Sequence, residues 1–248
     1  MTPPGFDVSL GGLAERFQLP APAIERLHLF GAMLADDPLA PTTVREPERI
    51  RDDHFADSLV ALGLAPVRTA TTIADLGSGA GVPGLPLAIA LPSAEVWLVE
   101  SNARKCEFIE RATGLMGLEN AHVVNARAEA WPDGRGRMQL VTARALAPLD
   151  VVAEYAAPLL TFGGALVAWR GKREARVEAE GAAAAKMLGL SVDEPARVHP
   201  YDGAEHRYLH VMSKVMETPA KFPRRAGMAR KRPLGTVAPR LTEDADSV

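Results

Sequence analysis

Apolar residues in the first quarter of the chain recur at helical spacing. Residues 21–36 carry an apolar residue every three or four positions, which is typical of an amphipathic helix. After a proline-rich stretch, Pro47 stands where the first turn of a second helix would begin, and apolar residues follow on one side as far as Leu62. The pattern predicts a helical N-terminal subdomain over residues 1–66.

The pattern changes near residue 71 to short apolar runs of strand length that alternate with helical segments. Strands are predicted at 71–76, 94–100, 121–126, 138–145 and 165–171, with helices at 82–91, 102–117, 149–160 and 172–189. Two further runs, 190–199 and 206–215, are predicted to form a terminal strand pair. Such alternation is typical of a mostly parallel sheet with helices on both faces, and we assign residues 67–215 to this α/β domain.

Charge sets the end of the chain apart. Between residues 214 and 232, seven residues are Lys or Arg, and a single acidic residue, Glu217, stands among them. Apolar periodicity is weak from 216 to 235, which predicts an extended basic tail. The last residues, LTEDADSV, are expected to be disordered, so we separate a third region at 216–248.

The composition is that of an ordinary globular protein of 248 residues, with 47% apolar and 24% charged residues. The net charge of −3 excludes a uniformly basic nucleic-acid-binding protein. The chain has a single cysteine, Cys106, which excludes an intramolecular disulfide. The sequence shows neither the pattern of a signal peptide nor the apolar stretch of about 20 residues that a membrane-spanning helix needs. We expect a cytoplasmic protein that is not bound to membranes and, since no heptad seam is visible, a monomer. No group of His, Cys and carboxylates has the spacing of metal ligands, so no metal is expected.

A glycine-rich turn follows the first predicted strand, in the segment IADLGSGAGVPGLPLAIALP at 73–92. Gly79, Gly81 and Gly84 match the dinucleotide fingerprint G-x-G-x-x-G. The match is weak by itself, because a strand, a glycine turn and a helix also suit other nucleoside-containing ligands. The turn therefore predicts a nucleoside ligand without choosing among such ligands.

Polar residues stand at the ends of four predicted strands, namely Asp75, Glu100, Asn125 and Arg144. Because the carboxyl ends of parallel strands meet at one edge of a sheet, we expect these side chains to line one ligand site. Glu100 follows Gly79 by about 20 positions, which suits a carboxylate that accepts hydrogen bonds from a ribose diol. NAD and S-adenosylmethionine both carry that diol, so Glu100 does not separate them.

Three features favour S-adenosylmethionine over a dinucleotide. A carboxylate at Asp75 would repel a pyrophosphate but would suit the ammonium or sulfonium group of a methionine moiety. Pro83 and Pro86 remove backbone N–H donors that phosphates would need. The turn NARAEAW at 125–131 offers backbone groups and Glu129 to hold an adenine amino group. An NAD-dependent oxidoreductase is the weaker alternative.

Five segments occur in the order in which a known family carries them: HFADSL (54–59), DLGSGAGVPGLPLAI (75–89), ESNARK (100–105), NARAEAW (125–131) and TARALAPL (142–149). With these segments the chain resembles the RsmG family, also called glucose-inhibited division protein B, whose members methylate bacterial small-subunit rRNA. The segment KFPRRAGMARKRPLG (221–235) is similar to the basic C-terminal segment of that family.

The resemblance implies a Rossmann-like class I methyltransferase that transfers a methyl group from S-adenosylmethionine to N7 of a guanine in 16S rRNA, position 527 in the usual rRNA numbering. The partner would be the small ribosomal subunit or its assembly intermediate. The family's cofactor-binding positions correspond to Gly77, Val82, Ala128, Glu129 and Arg144, and Glu100 would be the ribose-binding acid. Asp75 and Gly79 complete the expected cofactor-binding set.

Two other functions stay open beside this one. The protein could be a methyltransferase that acts on another RNA, a protein or a small molecule, or a non-catalytic RNA-binding protein. The segments 40–42 and 203–209 depart from the family pattern, and this leaves the contacts with the target base open.

The expected chemistry needs no general base, since guanine N7 is a neutral nucleophile that loses no proton. We therefore expect no essential proton acceptor. Arg144 would contact the cofactor carboxylate, a phosphate or guanine O6, while His54 and Cys106 would be packed in the interior. The cations expected to bind RNA phosphates are Arg170, Lys172, Lys221, Arg224, Arg225, Arg230, Lys231 and Arg232.

Overall fold

The computed structural model describes Phe6 and residues 8–235, so the terminal segment LTEDADSV lies outside the described residues. The described strands are β1 (Thr72–Leu76), β2 (Glu95–Glu100), β3 (Ala121–Asn125), β4 (Met138–Arg144), β5 (Leu160–Arg170), β6 (Leu190–Val192), β7 (Ala196–Arg197) and β8 (Tyr208–Lys214). They form one sheet in the order β3-β2-β1-β4-β5-β8-β6, and β7 also pairs with β8.

The direction of the strands confirms the predicted, mostly parallel sheet. Strands β1 to β5 pair in parallel, with β1 between β2 and β4. Strand β8 runs antiparallel to β5 on one side and to β6 and β7 on the other, so the predicted terminal pair extends the sheet. The carboxyl ends of β1 to β5 therefore lie at one edge, which is where an open α/β sheet binds ligands.

The described α-helices are α1 (Gly11–Phe17), α2 (Ala23–Asp36), α3 (Pro47–Arg49), α4 (Asp57–Leu59), α5 (Ala65–Thr69), α6 (Gly84–Ala90), α7 (Ala103–Met116), α8 (Leu149–Ala156), α9 (Ala175–Leu188) and α10 (Met228–Lys231). Within these residues, no helix combines the length and apolarity needed to cross a bilayer.

The helix predicted to start at Pro47 is irregular. Pro47 occupies the first turn of α3 as expected, because its missing N–H is not needed there. The chain then widens into a π-helical stretch, Ile50–Ala56, before it continues as α4 and a 3₁₀ turn, Val60–Gly63. Stretches of π-helix are rare and often occur at functional sites, and this one carries His54.

Two apolar clusters sandwich the sheet. Residues that alternate along β5 divide between them, since Val167 belongs to one cluster and Leu166 to the other. The first cluster also contains Leu27 and Phe55 of the N-terminal helices. The N-terminal helices, predicted to form a helical subdomain, share this cluster with the sheet and with α6 and α7.

The segment 216–235 differs from the extended tail that its charge predicted. Phe222 and Ala229 are buried in the second apolar cluster, and Arg224 forms an ion pair with Glu154 of α8, whose side chain is 2% exposed. A few apolar side chains at irregular spacing give no periodic signal in the sequence. Their burial is nevertheless sufficient to hold a short segment against the rest of the domain.

Candidate functional site

Asp75, at the end of β1, is fully buried beneath the glycine turn. Its Oδ1 accepts a hydrogen bond from the Thr142 hydroxyl at 2.8 Å, and its Oδ2 accepts one from the Gly84 N–H at 3.2 Å. Burial raises the pKa of Asp75 to about 6, and these hydrogen bonds oppose the rise. The carboxylate expected to meet a cofactor ammonium group instead ties the start of α6 to β4.

Above Asp75, a cleft of about 440 Å³ opens at the carboxyl ends of β1 to β4. We call it the loop cleft. Gly77, Glu100, Ala128 and Glu129, all expected at the cofactor site, line it together. Its other lining residues are Val99, Ser101, Lys105, Ala126, Arg127, Ala145, Leu146, Tyr155 and Arg230. The volume lies in the range of small-molecule sites.

Glu100 is the buried acid of the loop cleft, with 7% of its surface exposed. Its Oε2 accepts a hydrogen bond from the Gly79 N–H at 3.1 Å, and its Oε1 accepts one from the Asn102 N–H at 2.9 Å. Each carboxylate oxygen can accept more than one hydrogen bond. The fixed carboxylate therefore keeps the capacity to bind a ribose diol, while Gly79 acts as its support and does not line the cleft.

The remaining predicted cofactor residues lie apart from this lining. Val82 is 9% exposed and packs in the first apolar cluster. Asn125 turns inward, where its amide donates to the Glu100 carbonyl at 3.1 Å, and the Cys106 thiol donates to the same carbonyl at 3.3 Å. The Cys106 side chain is buried, as expected, and this burial raises the pKa of its thiol.

Arg144 lies in a second cleft of about 340 Å³, which we call the basic cleft. Arg170 and Lys172, two of the cations expected to bind RNA, also line it. The other lining residues are Asp57, Ala145, Trp169, Gly171, Glu174 and Arg207. Four cations face two carboxylates here, so the cleft favours an anionic ligand. Ala145 lines both clefts and therefore marks their boundary.

The Arg144 guanidinium is fixed by the π-helical stretch and the residue that follows it. Its Nη1 donates to the Asp53 carbonyl and to Asp57 Oδ2, each at 2.8 Å, and its Nη2 lies 3.3 Å from His54 Nδ1. The network includes an ion pair between Arg144 and Asp57. Side-chain exposures of 16% and 8% for Arg144 and Asp57 make it a nearly buried ion pair.

His54 is a packed histidine, as the sequence predicted. Because an arginine only donates hydrogen bonds, His54 Nδ1 is the acceptor and its proton lies on Nε2, which is 2.9 Å from the Thr42 hydroxyl. Burial, and then the positive charge of Arg144, lower the pKa of His54 to about 4. His54 is therefore neutral at pH 7 and has both ring nitrogens engaged.

The segment 216–235 contributes to the loop cleft. The Gly227 N–H donates to Glu129 Oε1 at 3.0 Å, and Arg230 Nη2 donates to the Leu146 carbonyl at 2.8 Å. The predicted RNA-binding residues in this segment thus divide into two groups. Arg224 and Arg230 donate hydrogen bonds to other parts of the protein. Arg224 is partly buried, whereas Arg230 is exposed, as are Lys221, Arg225, Lys231 and Arg232.

Comparison with known proteins decides the family. The profile described as "GidB: rRNA small subunit methyltransferase G" matches residues 36–227. The chain belongs to the GidB family. This confirms the resemblance seen in the sequence.

Relatives of the same description cover most of the chain. The ribosomal RNA small subunit methyltransferase G of Rubrobacter xylanophilus is 44% identical over 197 residues, which cover 77% of this chain and 75% of that protein. The protein of the same name from Pelotomaculum thermopropionicum is 40% identical, covering 78% and 82%, and that from Desulfitobacterium hafniense is 36% identical over 222 residues, covering 88% and 92%.

Solved structures share the fold at low identity. A SAM-dependent methyltransferase from Aquifex aeolicus is 14% identical with a TM-score of 0.54, over 68% of this chain and 94% of that one. A geranyl diphosphate methyltransferase in complex with SAM is 16% identical with a TM-score of 0.53, over 68% and 88%. These likenesses confirm the predicted Rossmann-like methyltransferase fold of this GidB family member.

Sequence reasoning gave no site role to several residues that line the two clefts, among them Lys105, Arg127, Tyr155 and Arg207. Lys105 and Arg127 lie inside motifs that carry the family resemblance, so closer reading of those motifs could have found them. Tyr155 lies outside those motifs and carries no local signal, and Arg207 lies in the segment that departs from the family pattern. Arg230 was predicted, but as a residue that binds RNA. Among the described residues, no group of three or more His, Cys, Asp or Glu could hold a metal ion.

Proposed function

We propose that this GidB family member transfers a methyl group from S-adenosylmethionine to N7 of a guanine in 16S rRNA, the guanine at position 527, on the small ribosomal subunit or its assembly intermediate. The observation that carries the proposal is the shared residue Ala145, which lines both the loop cleft and the basic cleft. A methyl donor in the loop cleft and a nucleotide in the basic cleft would lie on the two sides of Ala145.

The loop cleft fits the nucleoside part of S-adenosylmethionine. The Glu100 carboxylate is positioned by backbone N–H groups to accept the ribose hydroxyls, and Ala128 and Glu129 lie at the end of the next strand, where an adenine edge would be read. When bound, the cofactor supplies an electrophilic methyl group on a sulfonium ion. The protein's part is to hold that group beside the basic cleft.

The basic cleft fits an RNA nucleotide. Arg170 and Lys172 line it, and the segment 221–232 carries further exposed cations. Contacts from such cations to phosphates orient an RNA without reading its sequence. Selection of one guanine then depends on the shape of the rRNA and on groups inside the cleft, such as Asp57 and Arg144.

The transfer itself requires alignment and no proton acceptor. Guanine N7 would take the methyl group from the sulfonium of the donor without losing a proton, so the residues of this chain have only to hold the two groups in line. Neutral His54, engaged on both ring nitrogens, takes no proton. Holding two reactants in line contributes effective concentrations of about 10⁵ M or more, and this is the catalysis that we propose.

Arg144 is proposed to position the substrate. A guanidinium aimed at N7 would block the reacting lone pair and oppose the developing positive charge. The ion pair with Asp57 and the bond to the Asp53 carbonyl hold Arg144 in one orientation. From that fixed orientation it is suited to contact guanine O6 or a phosphate.

The test uses labelled S-adenosylmethionine and small subunits from cells that lack this protein. Label should appear at a single N7 of 16S rRNA, mapped by chain cleavage at 7-methylguanine. Subunits from cells that contain the protein are the control and should accept little label, because the position is already methylated. Label on another RNA, a protein or a small molecule, or none on particles and naked rRNA alike, would overturn the proposed substrate.

Two smaller parts of the proposal have separate tests. We keep the expectation of a cytoplasmic protein, since its proposed substrate is found there, and cell fractionation checks it. We also keep the expectation of a monomer, which light scattering of the purified protein checks. A stable dimer would contradict the second expectation without affecting the reaction.

A further inference from the structure

The segment 216–235, which we now call the C-terminal segment, forms one end of the loop cleft. Three features fasten it there: the Arg224–Glu154 ion pair, and the buried side chains of Phe222 and Ala229. Because Glu154 is almost completely buried, breaking that pair would leave a charge without a partner inside the domain, so the pair is costly to open. The segment therefore belongs to the folded wall of the cleft.

Two contacts connect this segment to the loops on either side of the cleft. Gly227 donates to Glu129, which follows β3, and Arg230 donates to the carbonyl of Leu146, which follows β4. Glu129, Tyr155 and Arg230 all line the loop cleft. The segment thus spans the gap between the β3 and β4 loops.

The chemistry of this end suits a nucleobase. Glu129 and the backbone at Ala128 offer polar groups for the edge of a base, while Leu146, Tyr155 and the Arg230 guanidinium offer apolar or planar surfaces for its faces. A guanidinium stacks on aromatic rings, whereas a lysine ammonium lacks the planar shape. Glu100, which is placed for the ribose, lines the same cleft from β2.

We propose that Arg230 is a cofactor-binding residue that packs against the adenine base of S-adenosylmethionine, so that the C-terminal segment completes the cofactor site. This inference rests on the proposed function, since it takes S-adenosylmethionine as the cofactor. It gives Arg230 a role other than the RNA contact that its charge suggested. The Arg230 side chain lines the cleft and is held there by its bond to the Leu146 carbonyl.

The test compares two ligands that share adenosine and differ at the other end. Calorimetry measures the binding of S-adenosylhomocysteine and of 5′-methylthioadenosine, which lacks the amino-acid group, to the full chain. Arg230→Ala should weaken both ligands by the same factor, about tenfold. Arg230→Lys should recover only a small part of the loss, because lysine keeps the charge without the planar group.

The matched control is Arg225→Ala, on the same segment but lining neither cleft. It should bind both ligands within about twofold of wild type, and the melting temperature of each variant checks that the fold is intact. Unchanged affinities in Arg230→Ala, a loss confined to S-adenosylhomocysteine, or full rescue by lysine would overturn the inference. If the wild-type protein bound neither ligand, the proposed cofactor would be wrong. If wild type and Arg230→Ala bound both ligands equally well, only the role of Arg230 would be wrong.

Discussion

The loop cleft and the basic cleft lie side by side at one edge of the sheet, yet different interactions hold them in shape. In the loop cleft, the buried acid Glu100 is positioned by backbone N–H groups of Gly79 and Asn102. In the basic cleft, Arg144 and Asp57 position each other, and Arg207 Nε lies 3.3 Å from the remaining oxygen of Asp57. The acid of the loop cleft is positioned by backbone groups, whereas the acid of the basic cleft is positioned by paired charges.

This difference has a consequence for tolerance to mutation. A hydrogen bond from a backbone N–H survives the loss of a side chain elsewhere, so a substitution in the loop cleft removes mainly the contacts of the altered residue. A buried ion pair behaves otherwise, because removing one partner leaves the other charge without compensation. We therefore expect variants of the basic cleft to lose stability and variants of the loop cleft to lose ligand affinity.

The largest effect is expected for Arg144→Ala. It leaves Asp57 nearly buried beside only Arg207, and we expect the free energy of unfolding to fall by about 3 kcal/mol. Denaturant unfolding measures this loss. The double variant Asp57→Asn/Arg144→Ala should be more stable than the sum of the two single changes predicts, with a coupling of at least about 1 kcal/mol. Additive single changes would show that the pair does not hold this cleft together.

The two clefts should also respond oppositely to pH, because each has a buried titratable group behind it. The pKa of Asp75, below the loop cleft, is raised to about 6, so its contribution to stability is lost as the pH rises through 6. The pKa of His54, behind the basic cleft, is lowered from 6.5 to about 4, so its contribution is present above 6.5 and is lost as the pH falls towards 4.

Near-isosteric variants separate these two contributions, each of which is at most about 3 kcal/mol. Relative to wild type, Asp75→Asn should gain stability as the pH rises from about 4 to 7, and His54→Gln should gain stability as the pH falls over the same range. Thermal melts across this pH range measure both. A variant whose profile runs parallel to that of wild type would contradict the corresponding assignment.

Glu100→Ala tests the loop cleft by ligand affinity. Loss of a carboxylate that accepts hydrogen bonds from two ribose hydroxyls should raise the Kd for S-adenosylhomocysteine by about 100-fold. Lys172→Ala, in the basic cleft, is the control and should bind this ligand as wild type does. Equal affinity losses in both variants would mean that the two clefts are not separate sites for cofactor and substrate.

The smallest effect is expected for Lys172→Ala in RNA binding. Removing one phosphate contact should weaken binding to small subunits a few-fold and should reduce the slope of log Kd against log salt concentration by about 1. Lys186→Ala offers a matched control, because Lys186 is exposed on α9 and lines neither cleft. An unchanged salt dependence in Lys172→Ala would exclude Lys172 from the RNA surface.

Much of the fold and of the loop cleft could be predicted from local sequence. The strand TIADL, the glycine turn and the helix after it follow from apolar runs and from turn chemistry that act over fewer than ten residues, and Glu100 was predicted as a site residue by its place at a strand end. Asp75 was predicted at the same edge, but the sequence did not predict where its carboxylate points. The carboxylate lies beneath the turn because it bonds to Thr142 and Gly84, and these contacts exist only in the folded chain.

The pattern of apolar and polar residues was therefore sufficient to predict the α/β class, the mostly parallel sheet and the edge at which ligands bind. Each of these depends on periodicity and on strand direction. Only the tertiary structure decided the partners of charged groups. Asp57 and Arg144 are 87 residues apart along the chain, and Glu154 and Arg224 are 70 apart. An ion pair between such distant residues leaves no local pattern, because its energy depends on a distance and a burial that exist only after the chain has folded.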